Sequence, residues 1–135
     1  MMGRDELEIR SQITFLYYKD LEPIERFYGE ILALDLVEDE EWVKIYRIGG
    51  NGFLGIVTGE KGFHRPRAEN AVLVTLVVDD VLGWYEYLDG RGVDLLTEVK
   101  EVEEIQVRAF FLADPGGYTL EIQEYLDPQA GAVFR

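Results

Sequence analysis

Apolar and polar positions along this chain follow one pattern twice. Residues 13–20 (ITFLYYKD) form an apolar run closed by Asp20, and residues 73–80 (LVTLVVDD) form another closed by Asp79 and Asp80. The two runs lie about 60 residues apart, a period that signals duplication. Helical spacing follows each run. Ile24, Phe27, Tyr28, Ile31 and Leu32 mark one apolar face, and Val81, Trp84, Tyr85 and Leu88 mark the other. Asp20 and Asp80 (or Asp79) suit helix N-caps, and Gly92 suits a helix stop. Each half then continues into short strand-like runs. In the first these are 34–37, 42–47 and 53–58, the last two joined by a Gly49-Gly50-Asn51-Gly52 turn. In the second they are 93–96, 106–112 and 118–123. The expected organisation is an N-terminal extension over 1–11, a βαβββ unit over 12–59 and a linker over 60–70. A second βαβββ unit over 71–125 and a C-terminal tail over 126–135 complete it.

The most informative motif closes the second unit: Phe111-Leu112-Ala113-Asp114-Pro115-Gly116-Gly117-Tyr118-Thr119-Leu120-Glu121-Ile122. Its Asp-Pro-Gly-Gly centre is hairpin turn chemistry. Alternation places Glu121 on the opposite face from Leu120 and Ile122, where a carboxylate needs a partner, a proton or a ligand. The motif resembles the closing hairpin of the vicinal oxygen chelate superfamily (glyoxalases, bleomycin-resistance proteins, extradiol dioxygenases), roughly Phe-x-x-Asp-Pro-x-Gly-x-x-(Leu/Ile)-Glu. With the repeat, the resemblance covers roughly residues 12 to 125. It implies an α+β fold in which two βαβββ half-units form a cup-shaped, curved mixed sheet.

Composition narrows the function. The net charge of −14 disfavours nucleic acid as a partner and favours a cationic guest, while also serving solubility. No apolar run approaches the ~20 residues that span a bilayer, and the charged first residues contain no signal-peptide core. The expectation is a cytoplasmic protein with no membrane contact. The chain has no cysteine, which removes disulfides, thiol nucleophiles and thiolate metal sites.

The resemblance also implies where metal ligands would stand: a His opening the first strand of each half and a Glu on each last strand. Those positions fall on Ile13, on Leu73, on Gly55 or Ile56, and on Glu121. Only Glu121 can ligate, and the single histidine, His64, lies in the linker. No cofactor is therefore expected. If Ile13 and Leu73 face into the cup, alternation brings Phe15, Tyr17 and Thr75 with them, and Thr119 and Gln123 accompany Glu121. Trp42, Lys44 and Tyr46, with Arg108 and Phe110, complete the expected lining. An aromatic cup with few polar groups is the usual make-up of a small-molecule site. Each member has a structural alternative: the aromatics as core, and Glu121 as the partner of Arg108 on the adjacent strand.

The leading expectation is a metal-free small-molecule-binding protein for a cationic or aromatic guest. The resemblance adds a homodimer in which two chains build each pocket. Two enzymatic readings stay open: a divalent-metal lyase, isomerase or dioxygenase with Glu121 as ligand, or a metal-free enzyme with Glu121 as general base.

Overall fold

The computed structural model describes residues 3–135. Strand β1 (Gln12–Tyr17) leads through Asp20, whose carboxylate accepts from the Glu22 N–H at 3.2 Å, into helix α1 (Glu22–Glu25). That helix runs on as a π-helical segment (Arg26–Ile31), where Gly29 packs against the Tyr46 ring. Three strands follow: β2 (Asp35–Asp39), β3 (Val43–Ile48) and β4 (Gly52–Val57). They form a mixed sheet in the order β1-β4-β3-β2, with β1 parallel to β4.

The second half repeats the plan. Strand β5 (Leu73–Val77) precedes helix α2 (Val81–Asp89), capped by the Asp80 carboxylate, which accepts from the Gly83 N–H at 3.0 Å. The remaining strands are β6 (Asp94–Leu95), β7 (Lys100–Val102), β8 (Val107–Ala113) and β9 (Thr119–Tyr125). The sheet order is β5-β9-β8-β6, and β7 also pairs with β8. Thus the single edge strand β2, itself bulged at Val37, is split in the second half into β6 and β7. The sequence pattern does not show β7, which is short, polar and exposed along its length. The C-terminal tail carries a short helix, α3 (Pro128–Ala132), whose Gly131 lies against Tyr125.

One core joins the halves. Leu16, Ile24, Phe27, Tyr28, Leu54 and Ile56 from the first half pack with Val81, Leu88, Phe110, Leu112, Leu120 and Ile122 from the second. These residues lie between the sheets and their helices, leaving the other face of each sheet open. No helix among the described residues is long and apolar enough to cross a membrane.

A buried carboxylate bolts the halves together. Asp114, only 4% exposed, accepts from the hydroxyls of Tyr18 and Tyr28 (the latter at 2.8 Å) and from the N–H groups of Gly116 and Tyr118, both at 2.9 Å. Tyr118 returns the contact, its hydroxyl accepting from the Tyr17 N–H at 3.0 Å. Burial, reinforced by the neighbouring carboxylate, pushes both tyrosine hydroxyls far above the ordinary value, so they remain neutral donors.

Candidate functional site

Register decides which side chains reach the open faces. Pairing of β1 with β4 sets Ile13 beside Phe53, Phe15 beside Gly55 and Tyr17 beside Val57. Leu16 and Leu54 are buried, so the odd-numbered residues of both strands face away from the core. In the second half Leu73 pairs with Thr119, Thr75 with Glu121 and Val77 with Gln123, again opposite to the buried Leu120 and Ile122. Ile13, Phe15, Tyr17, Thr75 and Glu121 therefore stand on the open faces. Ile13, Phe15, Leu73 and Val77 are 39% to 50% exposed there, a row of large apolar side chains without cover in one chain.

The centre of the second open face is a hydrogen-bonded pair. The Thr75 hydroxyl donates to Glu121 Oε1 at 2.7 Å, and Phe111 is the cross-strand neighbour of Glu121. In the first half the equivalent register positions hold Phe15 and Gly55. A Cβ on Gly55 would fall inside the Phe15 ring, so glycine is what lets that ring lie flat on the sheet. One half thus carries an aromatic plate where the other carries a carboxylate.

Five expected lining residues lie elsewhere. Arg108 and Phe110 do not share the face of Glu121. The hairpin pairs Asp114 with Tyr118 through an Asp114 N–H to Tyr118 carbonyl bond, with Gly117 at φ +93°, so three residues make the turn. A two-residue Pro115-Gly116 turn would set Phe110 opposite Glu121. The additional residue sets Phe111 there and rotates Arg108 and Phe110 to the helix side. Phe110 packs edge-on against Tyr85 of α2, ring centroids 5.0 Å apart. Arg108 pairs with Glu101 of β7 at 2.9 Å, a hydrogen bond that raises its already high pKa, so Glu121 is not its partner.

Lys44 and Tyr46 also face the helices. Tyr46 is buried beside Tyr28, and burial raises its hydroxyl pKa. Lys44 hydrogen-bonds the Asp39 carboxylate and lies 3.4 Å from Glu25 of α1; the Asp39 bond is the main reason its pKa is raised. Trp42 precedes β3 on the same parity, its carbonyl accepting from the Thr58 N–H. On β3 the open face instead carries Val43, Ile45 and Arg47, whose guanidinium lies 4.8 Å over the Phe53 ring. Both faces of β3 mix apolar and long polar side chains, so hydropathy alternation does not choose between them.

The segment following the last strand of each half folds back toward that half's open face. After β4, Gly62 lies against Val57 and Tyr17, and the His64 ring meets Tyr17 edge-on at 5.4 Å. Arg65 donates to the carbonyls of Glu60, Gly62 and His64 at 2.7 to 3.0 Å, holding the loop while Phe63 projects with 90% exposure. After β9, Phe134 stacks on Tyr125 at 5.0 Å and Arg135 pairs with Asp79 at 3.1 Å. Phe53, Phe111, Tyr125 and His64 thus join the open faces. For Phe111 a sequence signal existed, the length of the glycine turn.

The donor set does not fit a divalent metal. Ile13, Leu73 and Gly55 supply no ligand atom, and one carboxylate is too few. Among the described residues no group of three or more His, Cys, Asp or Glu side chains is placed to hold an ion. What the faces offer is apolar and aromatic surface, with carboxylates on the outer strands and the Thr75-bonded Glu121 at the centre of the second face.

Comparison with known proteins agrees with this architecture. The profile of the Glyoxalase/Bleomycin resistance protein/Dioxygenase superfamily matches residues 10–122. The chain is similar in structure to a lactoylglutathione lyase from Agrobacterium tumefaciens (TM-score 0.69, 18% identity, 84% of this chain and 91% of that one). It is also similar to a glyoxalase-related enzyme from Fulvimarina pelagi (TM-score 0.71, 21% identity, 87% and 88%). A superfamily member from Sphaerobacter thermophilus gives a TM-score of 0.72 at 17% identity, covering 87% and 98%. No protein of curated function matches. At these identities the solved structures speak for the fold, and the profile match over most of the sequence speaks for descent. The chain belongs to the glyoxalase/bleomycin resistance protein/dioxygenase superfamily.

Proposed function

We propose that this chain binds a cationic, aromatic small molecule on its open sheet faces without a resident metal, and that a second copy completes the pocket. The observation that carries this reading is the Thr75–Glu121 pair at the centre of an open face whose other family ligand positions have no donor. Thr75 occupies one carboxylate oxygen and orients the group. The other oxygen is the natural contact for a cationic head, with Phe111 beside it as a plate for a flat body. The charge of −14 draws cations toward the protein before contact.

The second copy is supported by the uncovered apolar row. A two-fold dimer that sets the first half of one chain against the second half of the other would cover both rows. The reading places the protein in the cytoplasm as a binding or sequestering protein.

The test is calorimetric titration with benzamidine, using neutral benzamide as control, alongside sedimentation analysis. Benzamidine should bind at least tenfold more tightly than benzamide, and Glu121→Gln should abolish that preference while leaving the melting temperature within a few degrees. Equal affinity for both probes, or loss of folding in Glu121→Gln, would overturn a ligand role for Glu121. A monomer at every concentration would remove the shared pocket.

A further inference from the structure

Three of the chain's four prolines converge on one cavity, which adjoins the open face of the first half at Tyr17. Pro23 comes from the start of α1, Pro66 from the linker and Pro115 from the closing hairpin, so the cavity forms only when both halves are assembled. Its volume is about 470 Å³, within the range of small-molecule sites. The prolines give fixed walls with no N–H groups to satisfy.

Beneath the cavity lie the buried side chains of Tyr18 and Ile24, 3% and 2% exposed. The Tyr18 ring lies so close to Gly116 that a Cβ there would overlap it, and its hydroxyl is committed to Asp114. Ile24 adds an apolar contact. The rim is cationic. Lys19 and Arg67 line the cavity and take part in none of the ion pairs among the described residues. The one rim carboxylate, Asp20, is engaged by the Glu22 N–H. In a chain with 27 acidic and 13 basic residues, a rim with two cations and one carboxylate carries the sign opposite to that of the whole chain.

We propose that this proline-walled cavity is a second binding site, selective for a small carboxylate with a flat apolar body. The carboxylate would meet Lys19 and Arg67 at the rim while the body lies between the proline rings and against the half-buried Tyr17. The repulsive field of the whole chain is screened beyond roughly 8 Å at physiological ionic strength, so the local cations govern. This site adjoins the open face of the first half at Tyr17 but lies away from Glu121, and it takes a ligand of opposite charge.

The probe is benzoate, with benzamide and inorganic phosphate as controls, titrated at 0.15 M salt while backbone amide shifts are followed by NMR. Benzoate should give saturable shifts centred on Ala68 and Gly116, at least tenfold tighter than either control. Lys19→Gln/Arg67→Gln should weaken it at least tenfold, and Glu121→Gln should leave it unchanged. Both rim residues are exposed, so the double variant should fold; its unchanged far-ultraviolet spectrum checks this. Benzoate binding that survives the double variant, shifts centred on Thr75 and Glu121, or phosphate binding as tight as benzoate would each overturn the assignment.

Discussion

The two halves share a plan and differ at its centre. Where strands β1 and β4 meet, Phe15 lies over Gly55; where β5 and β9 meet, Thr75 donates to Glu121. The register is the same in both places, so the difference is one of side chains alone. A duplicated scaffold keeps its geometry because both copies feed one core, while residues facing away from that core are free to diverge. One face has become a flat aromatic surface, and the other keeps a single oriented carboxylate. Neither retains a set of donors that would fit a metal.

The comparison requires that the halves stay docked, and the largest expected effect comes from breaking what docks them. Asp114→Ala leaves two buried tyrosine hydroxyls and two backbone N–H groups without their acceptor. Each unsatisfied buried group costs about 1–3 kcal/mol, so the total should be on the order of 4 kcal/mol or more. That is a large share of a typical domain's stability. Urea unfolding should show a sharply lowered midpoint or no folded baseline. A shift below about 1 kcal/mol would mean that the halves are held by the apolar core alone.

A smaller effect tests whether the centres are exchangeable. Gly55→Glu alone must displace the Phe15 ring, an overpacking strain of about 1–3 kcal/mol. Phe15→Thr with Gly55→Glu rebuilds the Thr–Glu pair at the same register and should recover most of that loss. Recovery in thermal unfolding would show that the two centres differ only in occupants. A double variant no more stable than the single would show that the first sheet has drifted in shape as well.

How much of this was legible beforehand depended on how each face was specified. The repeat, the helices and the hairpins follow from periodicity and turn chemistry. So do the faces of Phe15, Tyr17, Thr75 and Glu121, because Leu16, Leu120 and Ile122 mark the buried side unambiguously. Arg108 and Phe110 were misplaced because residues 107–112 are apolar on both parities, and only the turn's extra residue sets their face. Lys44 and Tyr46 were misplaced because their partners, Glu25 and Tyr28, sit on a helix whose approach alternation cannot foresee. The cavity at Pro23, Pro66 and Pro115 draws on three segments far apart in sequence, so no local pattern announces it.

The smallest effect concerns the bolt between the halves at high pH. Tyr18 and Tyr28 come from the first half and their acceptor from the second, and folding raises both hydroxyls above the ordinary value of 10.0. Above that pH the unfolded chain releases these protons while the folded chain keeps them. The folded state then binds more protons, so stability is fully present below about pH 10 and falls as pH rises further. Each tyrosine should remove about 1 kcal/mol between pH 10 and 11. Lys44, whose pKa is also raised, adds to the decline in the same direction. Tyr18→Phe should be less stable than the parent at neutral pH, having lost one bond to Asp114, yet lose less stability on going to pH 11. Denaturation midpoints at pH 8, 10 and 11 for both proteins separate the two contributions. Parallel declines would mean that the Tyr18 hydroxyl ionises in the folded protein as it does in the unfolded one, and that the contact between the halves is open to water.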